Sequence, residues 1–338
     1  MCYSLIRPLL FCLPPEEAHH WTLKLLKVSH QLRLYQAPSN ATSPIEVMGL
    51  QFSNRIGLAA GLDKNGDYIK PLADLGFGFI ELGTVTPRPQ TGNPRPRLFR
   101  LPQADAIINR MGFNNKGVDY LVEQVQQAQF KGILGLNIGK NLTTPLDQAQ
   151  QDYLLGLQRV YPYASYITIN ISSPNTAGLR QLQFGDELKL LLMTLKQEQL
   201  KLAERHQKTV PLVVKIAPDL TAEALMAISD ILLEQQMDGV IATNTTLHRE
   251  GIESLPHAAE SGGLSGKPLF AQSLRVVSLL NETLKGAIPI IACGGISSAA
   301  DVQQMLAAGA SLVQIYTGLI YQGRKLIQEC IHHDFRNF

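Results

Sequence analysis

Cysteine is scarce in this chain, and the few cysteines are scattered. The 338 residues include four, at positions 2, 12, 293 and 330, and no two are spaced as C-x-x-C. Disulfide frameworks and cysteine-bound zinc or iron–sulfur sites need clustered thiols, so the sequence favours neither. No H-E-x-x-H run is present, and no metal site is expected. We interpret the cysteines as free thiols in a reducing compartment.

The chain also lacks an excess of charge and any long apolar run. Its 30 basic and 28 acidic residues leave a net charge of +2. Proteins that bind nucleic acid usually show a strongly basic surface, so no nucleic-acid partner is expected. No apolar run reaches the roughly 18–20 residues that cross a bilayer. With 45% hydrophobic residues, the chain has the composition of a packed globular protein.

Residues 1–40 differ in pattern from the rest and are predicted to form a separate segment. Apolar residues recur at helical spacing on both sides of Pro14-Pro15, and Glu16-Glu17 suit the first turn of the second helix. The pattern predicts two short amphipathic helices. Either they cap the main domain, or their face, with Trp21 and nearby lysines, lies in a membrane interface.

From about residue 45, short β-rich runs recur, most of them followed by a helical pattern. Eight such units predict a closed (β/α)₈ TIM barrel over 41–338, and an open doubly wound sheet is the alternative. No G-x-G-x-x-G follows the first run, which disfavours the alternative. The predicted strands are 56–60, 79–83, 133–137, 166–170, 212–216, 239–243, 289–293 and 312–316, and the predicted helices include 117–129, 185–206, 222–236, 269–284 and 299–308.

Polar residues mark the ends of these predicted strands. Each alone is an ordinary turn former. Active sites of such barrels lie at the carboxyl ends of the strands, so these residues should surround one mouth. Buried amides and ammonium groups need partners, which a polar ligand or a network among themselves would supply. The residues are Lys64, Asn137, Asn170, Lys215 and Asn244.

The last two units resemble a phosphate site. Gly294-Gly295 precede a predicted helix, and 265–267 form another glycine loop before a helix. Glycines let the backbone approach an anion, and barrels often bind phosphate after strands seven and eight. Asparagine amides both donate and accept, which suits a pyrimidine-dione or isoalloxazine ring.

The sequence is similar to the dihydroorotate dehydrogenases, and specifically to the membrane-associated, quinone-linked class 2. The match spans roughly residues 1–330. Nine stretches in the same order carry it: GLAAGLDKNG (57–66), ELGTVTPRPQTGNPRPRLFRLP (81–102), INRMGFNN (108–115), LNIGKN (136–141), INISSPNT (169–176), VKIAPDL (214–220), IATNTT (241–246), GGLSGKPL (262–269) and VQIYTG (313–318).

The resemblance implies one FMN per chain and dihydroorotate as the substrate. The positions that match the family's FMN site are Ala60, Gly61, Leu62, Asp63, Lys64, Thr84, Asn137, Asn170, Lys215, Thr243, Gly266, Gly295, Tyr316 and Thr317. Those that match its substrate site are Lys64, Asn109, Arg110, Met111, Gly112, Phe113, Asn170, Asn175, Asn244 and Thr245.

The resemblance also implies that Ser173 is the catalytic base. It would take a proton from dihydroorotate C5 while the hydride from C6 goes to the flavin. A serine without a histidine partner is a weak base, so catalysis would depend on positioning and on stabilising negative charge in the substrate. We expect residues 174–184 to form a lid that excludes water.

Cytosolic members of the family carry cysteine at the base position, so the resemblance, with serine here and an N-terminal extension, implies a membrane quinone, ubiquinone or menaquinone, as electron acceptor. It implies no iron–sulfur partner subunit. The resemblance places a quinone tunnel at the two N-terminal helices, with His19, Arg100 and Tyr316 as its polar lining. Residues 1–35 would contact the lipid surface. With no obvious transit peptide or membrane span, we expect a peripheral enzyme on the cytoplasmic face of a bacterial inner membrane.

Two other functions are compatible with parts of the pattern. A non-catalytic barrel could bind FMN or orotate as a sensor, although a pure binder has no need of Ser173. Another flavin barrel could act on pyrimidines, including those in RNA, although the N-terminal helices and the balanced charge disfavour it.

Overall fold

The computed structural model describes residues 3–34, 44–333 and 335. The predicted boundary between residues 40 and 41 lies outside this range. So do residues 1, 2 and 35 of the predicted lipid-contacting segment.

A closed barrel of eight parallel strands forms the centre of the molecule, as the sequence predicts. In chain order each barrel strand pairs with the next, and the last closes on the first, which excludes the open-sheet alternative. The eight strands are β3 (Ile56–Leu58), β4 (Phe79–Val85), β7 (Ile133–Ile138), β8 (Tyr166–Asn170), β9 (Leu212–Ile216), β10 (Gly239–Ala242), β12 (Ile290–Cys293) and β13 (Leu312–Ile315).

The predicted helices are present within two residues at each end, and so is the N-terminal pair on either side of the two prolines. Four short or weakly patterned helices were not predicted: α3, α5, α10 and α11. The helices are α1 (Tyr3–Cys12), α2 (Pro15–Gln31), α3 (Ile69–Ala73), α4 (Val118–Ala128), α5 (Ala149–Val160), α6 (Gly185–His206), α7 (Ala222–Glu234), α8 (Phe270–Leu284), α9 (Ala299–Ala307), α10 (Thr317–Gln322) and α11 (Arg324–His332).

Two small antiparallel sheets complete the fold, and the sequence reasoning missed both. The hairpin β1 (Ile45–Val47) and β2 (Leu50–Phe52) covers one end of the barrel, where Phe52 packs edge-on against Phe79 with ring centroids 5.2 Å apart. Strands β5 (Leu98–Leu101), β6 (Ala106–Asn109) and β11 (Gly263–Gly266) form the second sheet, in the order β11-β6-β5. Strand β11 lies more than 150 residues after β6 in the sequence, so short-range patterns do not reveal that the two strands pair.

The inside of the barrel changes from apolar to polar along the strands. Side chains two residues apart on a strand face the same side. Phe79, Val213 and Leu312 belong to an apolar layer. Two residues further along the same strands lie Glu81, Lys215 and Gln314, which are also buried. The apolar layer is therefore followed, toward the carboxyl end of the barrel, by a layer of buried polar side chains.

The two N-terminal helices lie against the barrel and leave an apolar face uncovered. On α2, Leu23 is buried, whereas Trp21 and Leu25 are 52% and 54% exposed. On α1, Tyr3 Oη donates to the Ile320 carbonyl at 2.7 Å, while Leu9 is 72% exposed. Among the residues described, no helix has the length and hydropathy to cross a membrane.

Gly57 tests how tightly the barrel interior is packed. A Cβ at this position would lie 2.2 Å from the Phe79 ring. Since overpacking of a closed core typically costs about 1–3 kcal/mol, Gly57→Ala should lower the free energy of unfolding by roughly that amount in urea denaturation.

Gly251→Asn is the matched control. Nothing lies within 4 Å of a Cβ there, and asparagine tolerates the φ of +78°. An unfolding midpoint for Gly57→Ala equal to that of the control would show that the ring can move aside.

Candidate active site

A cavity of about 520 Å³ opens at the carboxyl ends of the barrel strands. Its walls come from three parts of the chain: the strand ends, the sheet of β5, β6 and β11, and the first turns of α2. This volume is within the range of small-molecule and cofactor sites. Of the predicted site residues, those that line it are His19, Ala60, Gly61, Lys64, Thr84, Asn109, Met111, Gly112, Phe113, Asn170, Ser173, Asn175, Lys215, Thr243, Asn244, Thr245, Gly266, Gly295, Tyr316 and Thr317.

The floor of the cavity is a chain of hydrogen bonds that begins at Glu81. Its carboxylate accepts from Asn137 Nδ2 at 2.8 Å, Tyr166 Oη at 2.9 Å and Gln314 Nε2 at 2.6 Å. All four side chains are buried. Because a carboxylate only accepts, the three donors are held with their N–H or O–H groups turned toward it.

The orientation set at the carboxylate continues to the cavity surface. With Nδ2 of Asn137 engaged, its Oδ1 accepts from Thr84 Oγ1 at 2.5 Å. The Thr84 hydroxyl accepts in turn from Asn170 Nδ2 at 2.7 Å. This leaves Asn170 Oδ1 to accept from Ser172 Oγ at 3.0 Å and from Asn244 Nδ2 at 3.4 Å. The two asparagines at the surface are thereby fixed in one orientation.

Two lysines bring positive charge to the cavity. Neither Lys64 Nζ nor Lys215 Nζ forms a hydrogen bond with any residue that the structure describes, although the Lys215 side chain is only 5% exposed. Burial, together with the charge of Arg97, lowers the pKa of Lys64 to about 8, although Glu16 and Asp63 act in the opposite direction. An ammonium group buried without an acceptor is costly, so both lysines favour an anionic or acceptor-rich ligand.

His19 faces the cavity from α2 and is held neutral at physiological pH. Burial lowers its pKa to about 4, and the charges of Lys64 and His20 contribute in the same direction. Tyr316 lies on the same cavity, and burial raises its pKa to about 12. The end of the cavity beside α2 therefore carries two neutral polar groups, together with the Glu16 and Glu17 side chains of the same helix.

Ser173 lies at the cavity with no titratable partner. Its Oγ accepts a hydrogen bond from the Asn175 backbone N–H at 3.2 Å, and no histidine or carboxylate of the described residues bonds to it. Asn175 Nδ2 donates to Asn109 Oδ1 at 3.2 Å, which joins the loop after β8 to β6. A weakly basic oxygen is thus placed by its neighbours rather than activated by a triad.

The segment 174–184, predicted as a lid, is anchored at its second half. Arg180 donates to the Ser172 carbonyl at 3.0 Å, to Asp219 Oδ2 at 2.6 Å and to the Thr245 carbonyl at 2.8 Å. These bonds tie the segment to the loops after β8, β9 and β10. Its opening and closing remain a prediction.

The predicted phosphate end of the cavity offers free backbone donors. The N–H groups of Gly295, Thr317 and Gly318 donate to no described residue, and all three residues line the cavity. At the start of α9, by contrast, Ser298 Oγ accepts from the Asp301 N–H, so that helix end is partly satisfied by its own cap. The donors therefore come from the glycine turn and the start of α10.

Five residues of the predicted sites do not line the cavity. Leu62 and Asp63 lie just below it, and Asp63 accepts hydrogen bonds from the backbone of residues 65–68. Asn137 belongs to the hydrogen-bond network that forms the floor. Arg110 pairs with Glu260 at 2.6 Å. Arg100 donates to the Leu10 and Leu13 carbonyls on the α1 side.

Glu81 and Gln314 were not among the predicted site residues. The signal was present, since each is a lone polar residue on the inward face of an otherwise apolar strand. Glu81 interrupts FIELGTV, and Gln314 interrupts LVQI. Gln314 Oε1 is buried and has no hydrogen-bond partner among the described residues. Among the residues that the structure describes, no group of three or more His, Cys, Asp or Glu side chains is arranged to hold a metal ion.

The closed parallel barrel with a polar cavity at the carboxyl ends of its strands defines a (β/α)₈-barrel enzyme. Comparison with known proteins specifies the family. The sequence model of the dihydroorotate dehydrogenase family matches residues 43–336. The dihydroorotate dehydrogenase (quinone) of Acinetobacter baumannii is 58% identical over 331 residues, covering 98% of this chain and 99% of the relative. That of Nitrosospira multiformis is 57% identical over 329 residues, covering 97% and 94%.

A solved structure agrees with these relatives. The crystal structure of DHODH in complex with ferulenol from Eimeria tenella has a TM-score of 0.88 at 39% identity, covering 94% of this chain and 89% of that one. The chain therefore belongs to the dihydroorotate dehydrogenase family, and its relatives place it in the quinone-linked class 2.

Glu81→Gln should destabilise the protein by about 1–3 kcal/mol. The new amide places an N–H₂ group, itself a donor, opposite side chains that donated to the carboxylate, so at least one hydrogen bond is lost. Chemical denaturation measures the effect. Glu234→Gln, an exposed carboxylate paired with Lys189, is the matched control and should leave the unfolding midpoint unchanged. Equal midpoints for the two variants would show that the floor does not depend on the carboxylate.

Proposed function

We propose that this chain oxidises (S)-dihydroorotate to orotate in pyrimidine biosynthesis, with FMN as the bound cofactor and a membrane quinone as the final acceptor. The observation that carries the proposal is a single cavity. It is lined by Ser173, Lys64 and the asparagines of the predicted substrate site, and α2 enters it from the other side. Both half-reactions then have access to one space.

The residues present fit FMN. Gln314 Oε1 is a buried acceptor atom without a partner among the described residues, and Lys215, which is 5% exposed, directs no hydrogen bond to any of them. A flavin ring offers both acceptors and an N–H donor. The free N–H groups of Gly295, Thr317 and Gly318 suit a phosphate. When bound, FMN supplies the acceptor for the hydride and passes the electrons to quinone.

The substrate end is built for a flat, anionic, hydrogen-bonding ring. Lys64 would hold the carboxylate of dihydroorotate, and Asn109, Asn175 and Asn244 would bind its ring amides. Because the floor network fixes the orientation of Asn170 and, through it, of Asn244, the site presents one pattern of donors and acceptors. That pattern discriminates between ligands, since a wrong ring leaves buried groups unpaired.

Ser173 would accept the proton from C5 of dihydroorotate. A neutral serine is a poor base, so the reaction depends on holding C5 against Oγ and on stabilising the negative charge that develops in the ring. The positive charge of Lys64 and the asparagine amides are the available stabilising groups. The buried position of Ser173, which is 6% exposed, limits competition from bulk water.

The acceptor side of the cavity suits a quinone head group. His19 is neutral near pH 7, so it can hydrogen-bond to a quinone oxygen without introducing a charge. Tyr316 joins this end to the strand ends, and Trp21 lies at the mouth. Arg100, which stacks on Phe11 at 4.6 Å, would contribute from the α1 side. The quinone could be ubiquinone or menaquinone.

The exposed apolar face of α1 and α2 supports peripheral binding to a lipid surface. Leu5 and Leu9 on α1, and Leu25 and Val28 on α2, are between 48% and 74% exposed. Lys24 lies over the Trp21 ring at 5.2 Å, an arrangement that suits the boundary between water and lipid. We place the protein on the cytoplasmic face of a bacterial inner membrane.

The purified protein should be yellow and should reduce a soluble ubiquinone analogue with dihydroorotate. Anaerobic mixing with dihydroorotate should bleach the flavin absorbance before quinone restores it. Reduction of fumarate or NAD without quinone reduction would contradict the quinone-linked assignment. A protein that binds orotate but never bleaches would be a sensor.

Ser173→Ala is the informative variant for this assay. It should keep the flavin and lose roughly two or more orders of magnitude in the bleaching rate, the usual contribution of a positioned base. Ser278→Ala, on α8 and outside the cavity, is the control and should reduce the flavin at nearly the wild-type rate. A wild-type rate in Ser173→Ala would remove Ser173 from the mechanism.

Membrane docking predicts a local effect of charge on the α1–α2 face. Leu25→Glu should weaken sedimentation with vesicles of phosphatidylethanolamine and phosphatidylglycerol by about tenfold or more, since burying one leucine is worth roughly 1.5–3 kcal/mol. Leu200→Glu is the matched control on α6, where the leucine is 69% exposed. Equal losses in the two variants would contradict docking through α1 and α2.

A further inference from the structure

The first turn of α2 is joined by a buried ion pair to Arg97, the residue just before β5. Arg97, whose side chain is 6% exposed, donates from Nε and Nη2 to Glu16 Oε1 at 3.0 and 2.9 Å. Arg95 also reaches Glu16, at 3.0 Å to Oε2, but its side chain is 71% exposed. Of these two arginines, only Arg97 holds Glu16 from inside the protein.

The remaining bonds of Arg97 lead away from α2. Its Nη1 donates to the carbonyl oxygens of Thr91 at 2.6 Å and Asn93 at 2.9 Å. Asn93 Nδ2 then donates to the carbonyl oxygens of Arg110 at 2.9 Å and Asn175 at 3.3 Å. One guanidinium thus connects the helix to two segments that carry predicted substrate residues.

The connected segments end at the proposed base. The Asn175 backbone N–H donates to Ser173 Oγ, and Asn175 Nδ2 donates to Asn109. From Glu16 to Ser173 the path therefore consists of direct hydrogen bonds through Arg97, Asn93 and Asn175. Such a contiguous path can transmit a change of position from one end of the cavity to the other.

We infer that Glu16 and Arg97 are a positioning pair that couples α2, on the acceptor side of the cavity, to the loops that bind dihydroorotate. The inference rests on the proposed function and deepens it. Neither residue need touch the substrate. Instead, Arg97 sets the position of Asn93 and thereby of Asn175, and Glu16 fixes Arg97 to α2.

Electrostatics at Lys64 add a second route for the same coupling. The charges that act on this ammonium are Arg97, which lowers its pKa, and Glu16 and Asp63, which raise it, while His19 packs beside it from α2. Loss of the Glu16 carboxylate leaves only Asp63 to oppose Arg97, so the pKa of Lys64 should fall below its value of about 8. Lys64 would then lose its charge at lower pH.

The test compares orotate binding to the flavin-loaded wild type, Glu16→Gln, Arg97→Lys, the double variant and Arg95→Ala. Titration calorimetry gives the dissociation constant at pH 6 and pH 8.5. Because pH 6 lies well below the wild-type Lys64 pKa of about 8, we expect Lys64 to be protonated there in the variants, so a change at pH 6 reports the hydrogen-bond path. The change between the two pH values reports the charge of Lys64.

Glu16→Gln and Arg97→Lys should each weaken orotate binding at pH 6 by roughly tenfold, about the contribution of one hydrogen bond to a charged group. The double variant should be no weaker than the worse single variant, because both changes break one path. Between pH 6 and pH 8.5, Glu16→Gln should lose more affinity for orotate than the wild type does. Arg95→Ala should change the constant less than about twofold, as expected of an exposed pair.

Several results would overturn the inference. One is that Glu16→Gln binds orotate at pH 6 as tightly as the wild type does and loses only quinone reduction. In that case α2 is not coupled to the loops that bind dihydroorotate. Additive effects in the double variant, or an equal loss in Arg95→Ala, would also do so. If one single variant does not fold, the other still decides the question. Failure of the wild type itself to bind orotate would contradict the proposed function instead.

Discussion

Glu81 is the group on which the polar half of the barrel depends. A carboxylate at this depth needs hydrogen-bond donors, and Asn137, Tyr166 and Gln314 supply them. Asn137, once its Nδ2 is turned toward Glu81, leaves its Oδ1 to accept from Thr84. The orientation of Asn170 at the cavity surface follows from this sequence of donors and acceptors. A rigid site thus results from one interior charge and the neighbours that satisfy it.

The cavity above this floor has two chemically distinct ends. Lysines, asparagines and free backbone N–H groups belong to the strand ends, where charged or strongly polar ligands are favoured. At α2, the lining includes a neutral histidine and an indole beside a tyrosine, as well as Glu16 and Glu17 in the first turn of the helix. An enzyme that takes electrons from a polar acid and delivers them to an apolar acceptor needs this division. Since α2 also presents an exposed apolar face, the same helix can meet the lipid in which such an acceptor dissolves.

Much of this arrangement was predictable because it is local in the sequence. The eight strands are short runs between turn signals, and the cavity residues follow directly after them. The long-range sheet was not predictable in this way. Strand β11 pairs with β6 across more than 150 residues, and no periodicity near residue 263 indicates a strand rather than a glycine loop. Glu81 and Gln314 were not predicted for another reason. Each is a single polar residue in an apolar strand, and only the closed barrel shows that the two lie in the same layer.

The sequence by itself determined the barrel, the two N-terminal helices, the family and about half of the residues that line the cavity. It could do so because strand period, helical spacing and the motifs at strand ends are properties of neighbouring residues. Tertiary structure alone decided which of those residues share a surface and which way each amide points. It also decided that Glu16, Arg97 and Asn175 belong to one path. These properties depend on contacts between distant segments, which exist only when the barrel closes and brings its strand ends together.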